Sequence, residues 1–133
     1  LNLDMIGHPW TRDEIKALLA DSKEPGAEKF LEDLDPARFT EPGLPPNQPA
    51  LAEALRQAAS GTGMGIHLDW TDGTHGGSDY KDFARLQVPF IRFFGSYFPD
   101  YHKPGDTFAA LDPAQAHRMA RLAFATAWLL ADR

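Results

Sequence analysis

The 133-residue chain contains no cysteine. That removes disulfides and thiolate metal sites together, and leaves His, Asp and Glu as the side chains able to hold a metal. It also lacks any cluster of lysine and arginine. With 13 basic against 19 acidic residues and a net charge of -6, it has no patch to displace counterions from a phosphate backbone, which excludes nucleic acid as a partner. No apolar run approaches the roughly 20 residues that span a bilayer. The segment Met119 to Ala131 is too short and carries Arg121. Internal repeats are absent. A nucleotide cradle is missing too, because "GTGMG" at 61 to 65 precedes a strand instead of linking strand to helix. Ser78 sits in "HGGSDY", which lacks the G-x-S-x-G elbow that projects a nucleophilic serine.

What remains is an ordinary globular composition, 43% hydrophobic and 24% charged, of a length that suits one domain, residues 1–133. Residues 1 to 7, "LNLDMIG", read as a short buried strand ended by Gly7 and Pro9. Thr11 opens a capping box with Glu14, which predicts a helix from about 12 to 20. A second helical stretch follows from about 27 to 34. Five prolines between residues 36 and 49 predict an irregular connector. Pro49 then starts an amphipathic helix that Gly61 stops, "MGIHLDW" reads as a strand, and a short helix begins near Asp79 with Ser78 as its cap. "VPFIRFFG" predicts a central strand, and Asp112-Pro113 a long final helix. Helices and strands alternating in this order imply crossover connections and an α/β fold, with a mostly parallel sheet covered by helices on both faces as a partial α/β/α sandwich. In such sheets functional groups collect beyond the carboxyl ends of strands.

Three places there carry candidate chemistry. Asp4 stands inside an apolar strand, where an unpaired carboxylate costs several kcal/mol and calls for a cation, a donor set or a metal. His102 lies between Tyr101 and Pro104, with Asp106 within reach of its second ring nitrogen, the usual way of orienting a metal-bound imidazole. His67 and Asp69 lie two apart on a strand and share a face, so they could grip one ion, although a half-exposed strand shows the same alternation. Of the aromatic cluster Phe90, Phe93, Phe94, Tyr97 and Phe98, core packing explains most, and Tyr97 and Phe98 are the two positioned beyond the strand to face a ligand.

The ordered set "NLDMIG", "GGSDYKDFARLQVPFIRFF" and "DYHKPGDTFAALD", followed by an alanine-rich final helix, resembles the C-terminal part of the zinc exopeptidases of peptidase family M28. The resemblance implies the C-terminal portion of the phosphorylase/hydrolase-like fold of these enzymes. It implies Asp4 and His102 as ligands of a two-zinc centre, with Ser78, Asp79 and Asp106 behind them. Similar enzymes place an oxyanion-stabilising tyrosine just before the Ser-Asp pair. Here His75 stands near that position, leaving His75 or Tyr97 as the donor. The family pattern also needs an upstream His-x-Asp, a bridging Asp and a Glu-Glu pair, and no Glu-Glu occurs in these residues. The expectation is a zinc aminopeptidase acting on peptide substrates, of which this chain is the part lacking the general base, inactive alone and holding zinc weakly or not at all. A noncatalytic association domain and a cyclase or carboxypeptidase are the alternatives. The resemblance further implies an exported protein, and a sheet with an open edge implies self-association into a homodimer.

Overall fold

The computed structural model describes residues 1–20, 27–74 and 77–132. Its helices form where local signals are complete. In α1 (Arg12–Ala20) the Thr11 backbone N–H donates to the Glu14 carboxylate at 2.7 Å and the Glu14 N–H donates back to the Thr11 hydroxyl at 3.3 Å, the reciprocal box that satisfies two otherwise orphaned donors. Ile15 and Leu19, one turn apart, are then buried. Helix α2 spans Ala27–Asp33. Helix α3 (Pro49–Thr62) starts on a proline and ends at Gly63, whose left-handed φ of 69° lets its N–H close on Ser60. Helix α4 is short (Tyr80–Arg85). Helix α5 (Pro113–Ala131) is capped by Asp112, which accepts from the Ala114 N–H at 2.8 Å. Alanines at 52, 58, 59 and 123 let α3 and α5 approach closely over Leu55, Met119 and Leu122.

Six short strands complete the architecture: β1 (Asn2–Asp4), β2 (Phe39–Thr40), β3 (Gly43–Leu44), β4 (Gly65–Ile66), β5 (Asp69–Trp70) and β6 (Arg92–Phe94). Strands β1 and β6 pair in parallel, as do β3 with β5 and β2 with β4, while β3 runs antiparallel to β6. The sheet is thus mostly parallel and mixed at one junction, in the order β1-β6-β3-β5. Along β6 the side chains alternate. Phe93, with Ile91 before it, enters the α3/α5 core, whereas Arg92 turns to the other face and lies over the Tyr80 ring at the start of α4. Helices therefore cover both faces, as the α/β reading requires.

Three local expectations are corrected. The proline-rich connector is partly regular: it carries a 3-10 turn begun by Asp35 and the strands β2 and β3. Pro42 has no N–H but offers its carbonyl to Asp69 N–H at 3.0 Å, so pairing with the 65–70 segment continues past the break. The first strand is three residues long, and Leu3 faces out at 43% exposure. The residue that caps α4 is Asp79, without a side-chain bond. Ser78 instead donates to Asn2 Oδ1 at 3.1 Å.

Candidate functional site

Parallel pairing of β1 and β6 carries the carboxyl ends of both strands to one side of the sheet. Directly after Asp4 the chain turns sharply: Met5 takes a left-handed φ of 53°, and the His8 N–H donates to the Met5 carbonyl at 3.2 Å. Gly95, just past β6, lies against this turn. A Cβ there would stand 2.1 Å from the Met5 carbonyl oxygen, so only glycine permits the approach. The Gly7 carbonyl accepts from the Asp112 N–H at 2.9 Å, joining the turn to the entry of α5. From Phe98 onward, successive turns are closed by Tyr101 N–H to Phe98, Lys103 N–H to Asp100 and Asp106 N–H to Lys103. They bring the loop back over β1.

Between these segments lies a cavity of about 630 Å³, lined among others by Asp4, His8, Ser78, Asp79, Tyr101, His102 and Asp106. Asp4 and His102, near opposite ends of the chain, share it. So do the Ser-Asp pair and Asp106. Of the restraints on His102 read in the sequence, Tyr101 acts and Asp106 does not. Its ring makes no hydrogen bond to Asp106. Instead it stacks on Tyr101 at 3.8 Å, with the backbone at a left-handed φ of 58°. Such a conformation costs a non-glycine residue of order 1 kcal/mol and persists only where the surroundings impose it. Tyr101 in turn meets Tyr97 edge-on, and Tyr97 packs on Phe94 of β6, an aromatic chain from the sheet to the imidazole.

Tyr97 does not line the cavity. At 62% exposure it serves as a link in that aromatic chain rather than as a donor facing a ligand. His75 lies outside the described residues. Phe98 does reach the cavity, with the buried His8 ring stacked on it at 3.7 Å. Sequence reasoning gave His8 no role. Its position in the loop after a parallel strand was the available signal.

The cavity's polar groups have few partners. Among the described residues, no hydrogen bond or ion pair occupies the side chains of Asp4, Asp79, Asp106, His8 or His102. An ionised carboxylate accepts and cannot donate, so the aspartates suit a cation. Imidazole and carboxylate are both ordinary zinc ligands. Asp4 and His102 would be the residues to hold one, yet no group of three or more potential ligands gathers among the described residues.

His67 and Asp69 sit elsewhere and are already engaged. His67 Nδ1 faces Glu41 at 3.4 Å, an electrostatic contact rather than an aligned hydrogen bond, with both side chains mostly buried, and Asp69 pairs with Arg92 at 3.1 Å. Burial raises the Glu41 carboxyl above its usual range, and Asp69 adds to this, while His67 and Arg92 oppose it. Near the cavity, Glu14 behaves differently. Burial would raise it, but hydrogen bonds from Ser96, at 2.6 Å, and from Thr11 prevail and hold it below the usual carboxylate value.

Searches among curated proteins and solved structures returned no match to this chain. A model of peptidase family M28, however, matches residues 1–127. With that match spanning nearly the whole chain, and with residues of all three motifs that carry the resemblance meeting in one cavity, this protein belongs to peptidase family M28.

Proposed function

We propose that the peptidase activity of this family is exercised here as a zinc-dependent aminopeptidase, with Asp4 and His102 as two of the metal ligands. The carrying observation is the cavity itself: a carboxylate from β1 and an imidazole from the 98–106 loop line one space, without partners among the described residues. Zinc, when bound, would supply an electrophile for the peptide carbonyl and acidify an attacking water. The chain's own part is to hold the ligands still. The Met5 turn, sealed by Gly95, fixes the end of β1, and the aromatic chain from Phe94 to Tyr101 orients the His102 ring. Ser78, through its bond to Asn2, ties the 77–79 segment to the same strand.

A tight zinc site takes four ligands, and the acids lining this cavity are aspartates rather than glutamates. We therefore assign the remaining ligands and the general base to residues other than the described ones. The test is hydrolysis by the full-length protein of leucyl-p-nitroanilide and of its N-acetylated counterpart. Cleavage of the first but not the second, abolished by a chelator and restored by zinc, is the expected result. Asp4→Ala or His102→Ala should lower kcat/KM by about a hundredfold or more, since even an outer partner of a metal ligand is worth 10- to 100-fold in metal affinity or activity. Equal cleavage of the blocked substrate, or full activity in Asp4→Ala, would overturn the reading.

A further inference from the structure

We propose that His8 is a substrate-contacting residue that donates a hydrogen bond to an oxygen of the bound peptide, an inference that rests on the peptidase reading above. The residue is 6% exposed, its ring lies flat on Phe98 at 3.7 Å and 15°, and it lines the cavity of Asp4 and His102. No described residue hydrogen-bonds to either ring nitrogen. The sealed polar atoms that lack partners belong to Trp10, His67 and Arg92, not to His8, so its nitrogens open onto the cavity. A polar ring open to a cavity can meet water in many orientations. The folded chain nevertheless holds this one in place with a left-handed Met5, a turn bond to the Met5 carbonyl and the Ser96 N–H donating to the His8 carbonyl at 2.9 Å. An imidazole so restrained, with its edge turned to a cavity, is positioned for whatever enters.

The chemistry of the remaining wall says which atom of the peptide it meets. Asp4, Asp79 and Asp106 offer only acceptors when ionised, so they suit cations and the N–H groups of a ligand. Peptide oxygens need a donor, which a neutral imidazole supplies from one nitrogen. The Ser78 hydroxyl already donates to Asn2. The oxygen is either that of the carbonyl being cleaved or that of a terminal carboxylate, and two substrates separate these.

In the full-length protein, kcat and KM would be measured on leucyl-p-nitroanilide, which has no carboxylate, and on leucyl-glycine, which has one. His8→Phe keeps the ring on Phe98 but removes both nitrogens. His8→Gln restores an N–H. His8→Phe should lose about 10- to 100-fold in kcat/KM, the range of one hydrogen bond to a charge-bearing group, while melting within a few degrees of the native protein, and His8→Gln should recover most of the loss. Loss on both substrates assigns the cleaved carbonyl, and loss on leucyl-glycine alone assigns the carboxylate. Native activity in His8→Phe on both, or His8→Gln as impaired as His8→Phe, overturns the assignment. If the native protein cleaves neither substrate, the peptidase reading falls. His8 is then judged by its ring nitrogen NMR signals during titration with leucyl-glycine: a saturable shift supports the contact, and unmoved signals overturn it.

Discussion

Two groups of ionisable side chains occupy this small protein, and they are built oppositely. On one face of the sheet, Glu41, His67, Asp69 and Arg92 face one another, with Asp69 paired to Arg92 and Arg92 also lying over the rings of Tyr80 and Phe94. Beyond the strand ends, Asp4, Asp79, Asp106, His8 and His102 surround a cavity with no hydrogen bonds to described residues. The sequence pattern is similar in both, since His-x-Asp looks as capable of gripping an ion as the Asp4 and His102 motifs. The difference lies in what the fold sets beside each. Groups engaged with one another are costly to separate, whereas unpaired ones remain available to a ligand.

The strongest way to break this comparison is at Arg92. Arg92→Met keeps much of the apolar stem but leaves Asp69 and Glu41 facing each other. Urea denaturation should show a loss of about 2 kcal/mol, less than the 3–5 kcal/mol of a fully buried pair because Asp69 is partly exposed. A smaller effect is expected of Glu41→Gln. The folded pKa of Glu41 lies above its ordinary value of 4.5, so the native state holds that proton more tightly than the unfolded chain does. Its contribution is present at low pH and is lost as pH rises through the raised value. Denaturation midpoints measured from pH 4 to 8 should fall less steeply in Glu41→Gln than in the native protein. The smallest effect belongs to Asp4→Asn. Without a partner to lose, the variant should stay within about 0.5 kcal/mol of native stability, even though zinc affinity, followed by calorimetry on the full-length protein, should drop. A large destabilisation would show that Asp4 is structural and erase the contrast.

Much of the fold was legible because its signals are local. The Thr11 and Glu14 box, Pro49 and the Asp112-Pro113 start each act within one helical turn. The cavity was legible in part, since strand-end loops in parallel sheets are where ligands bind and the motifs around Asp4, Ser78 and His102 fall there. What escaped is long-range. Strands of two residues inside a proline-rich segment exist only because the 65–70 segment and β6 lie alongside, which no window of sequence shows. Arg92 was an unremarked residue in an aromatic strand until β3 and β5 brought Asp69 and Glu41 to it. The place of Ser78 before a helix predicts a cap, but Asn2, distant in sequence, competes successfully for its hydroxyl.

The position of β1 carries a last implication. Among the described residues it has β6 on one flank and nothing on the other, so the backbone that presents Asp4 is anchored by a single row of inter-strand hydrogen bonds. Whatever settles against that open flank restrains the carboxylate as well. If the proposed zinc binds at Asp4, thermodynamic reciprocity requires that it also steady the strand for its neighbour, so that order at this edge and occupancy by the ion would be one coupled equilibrium.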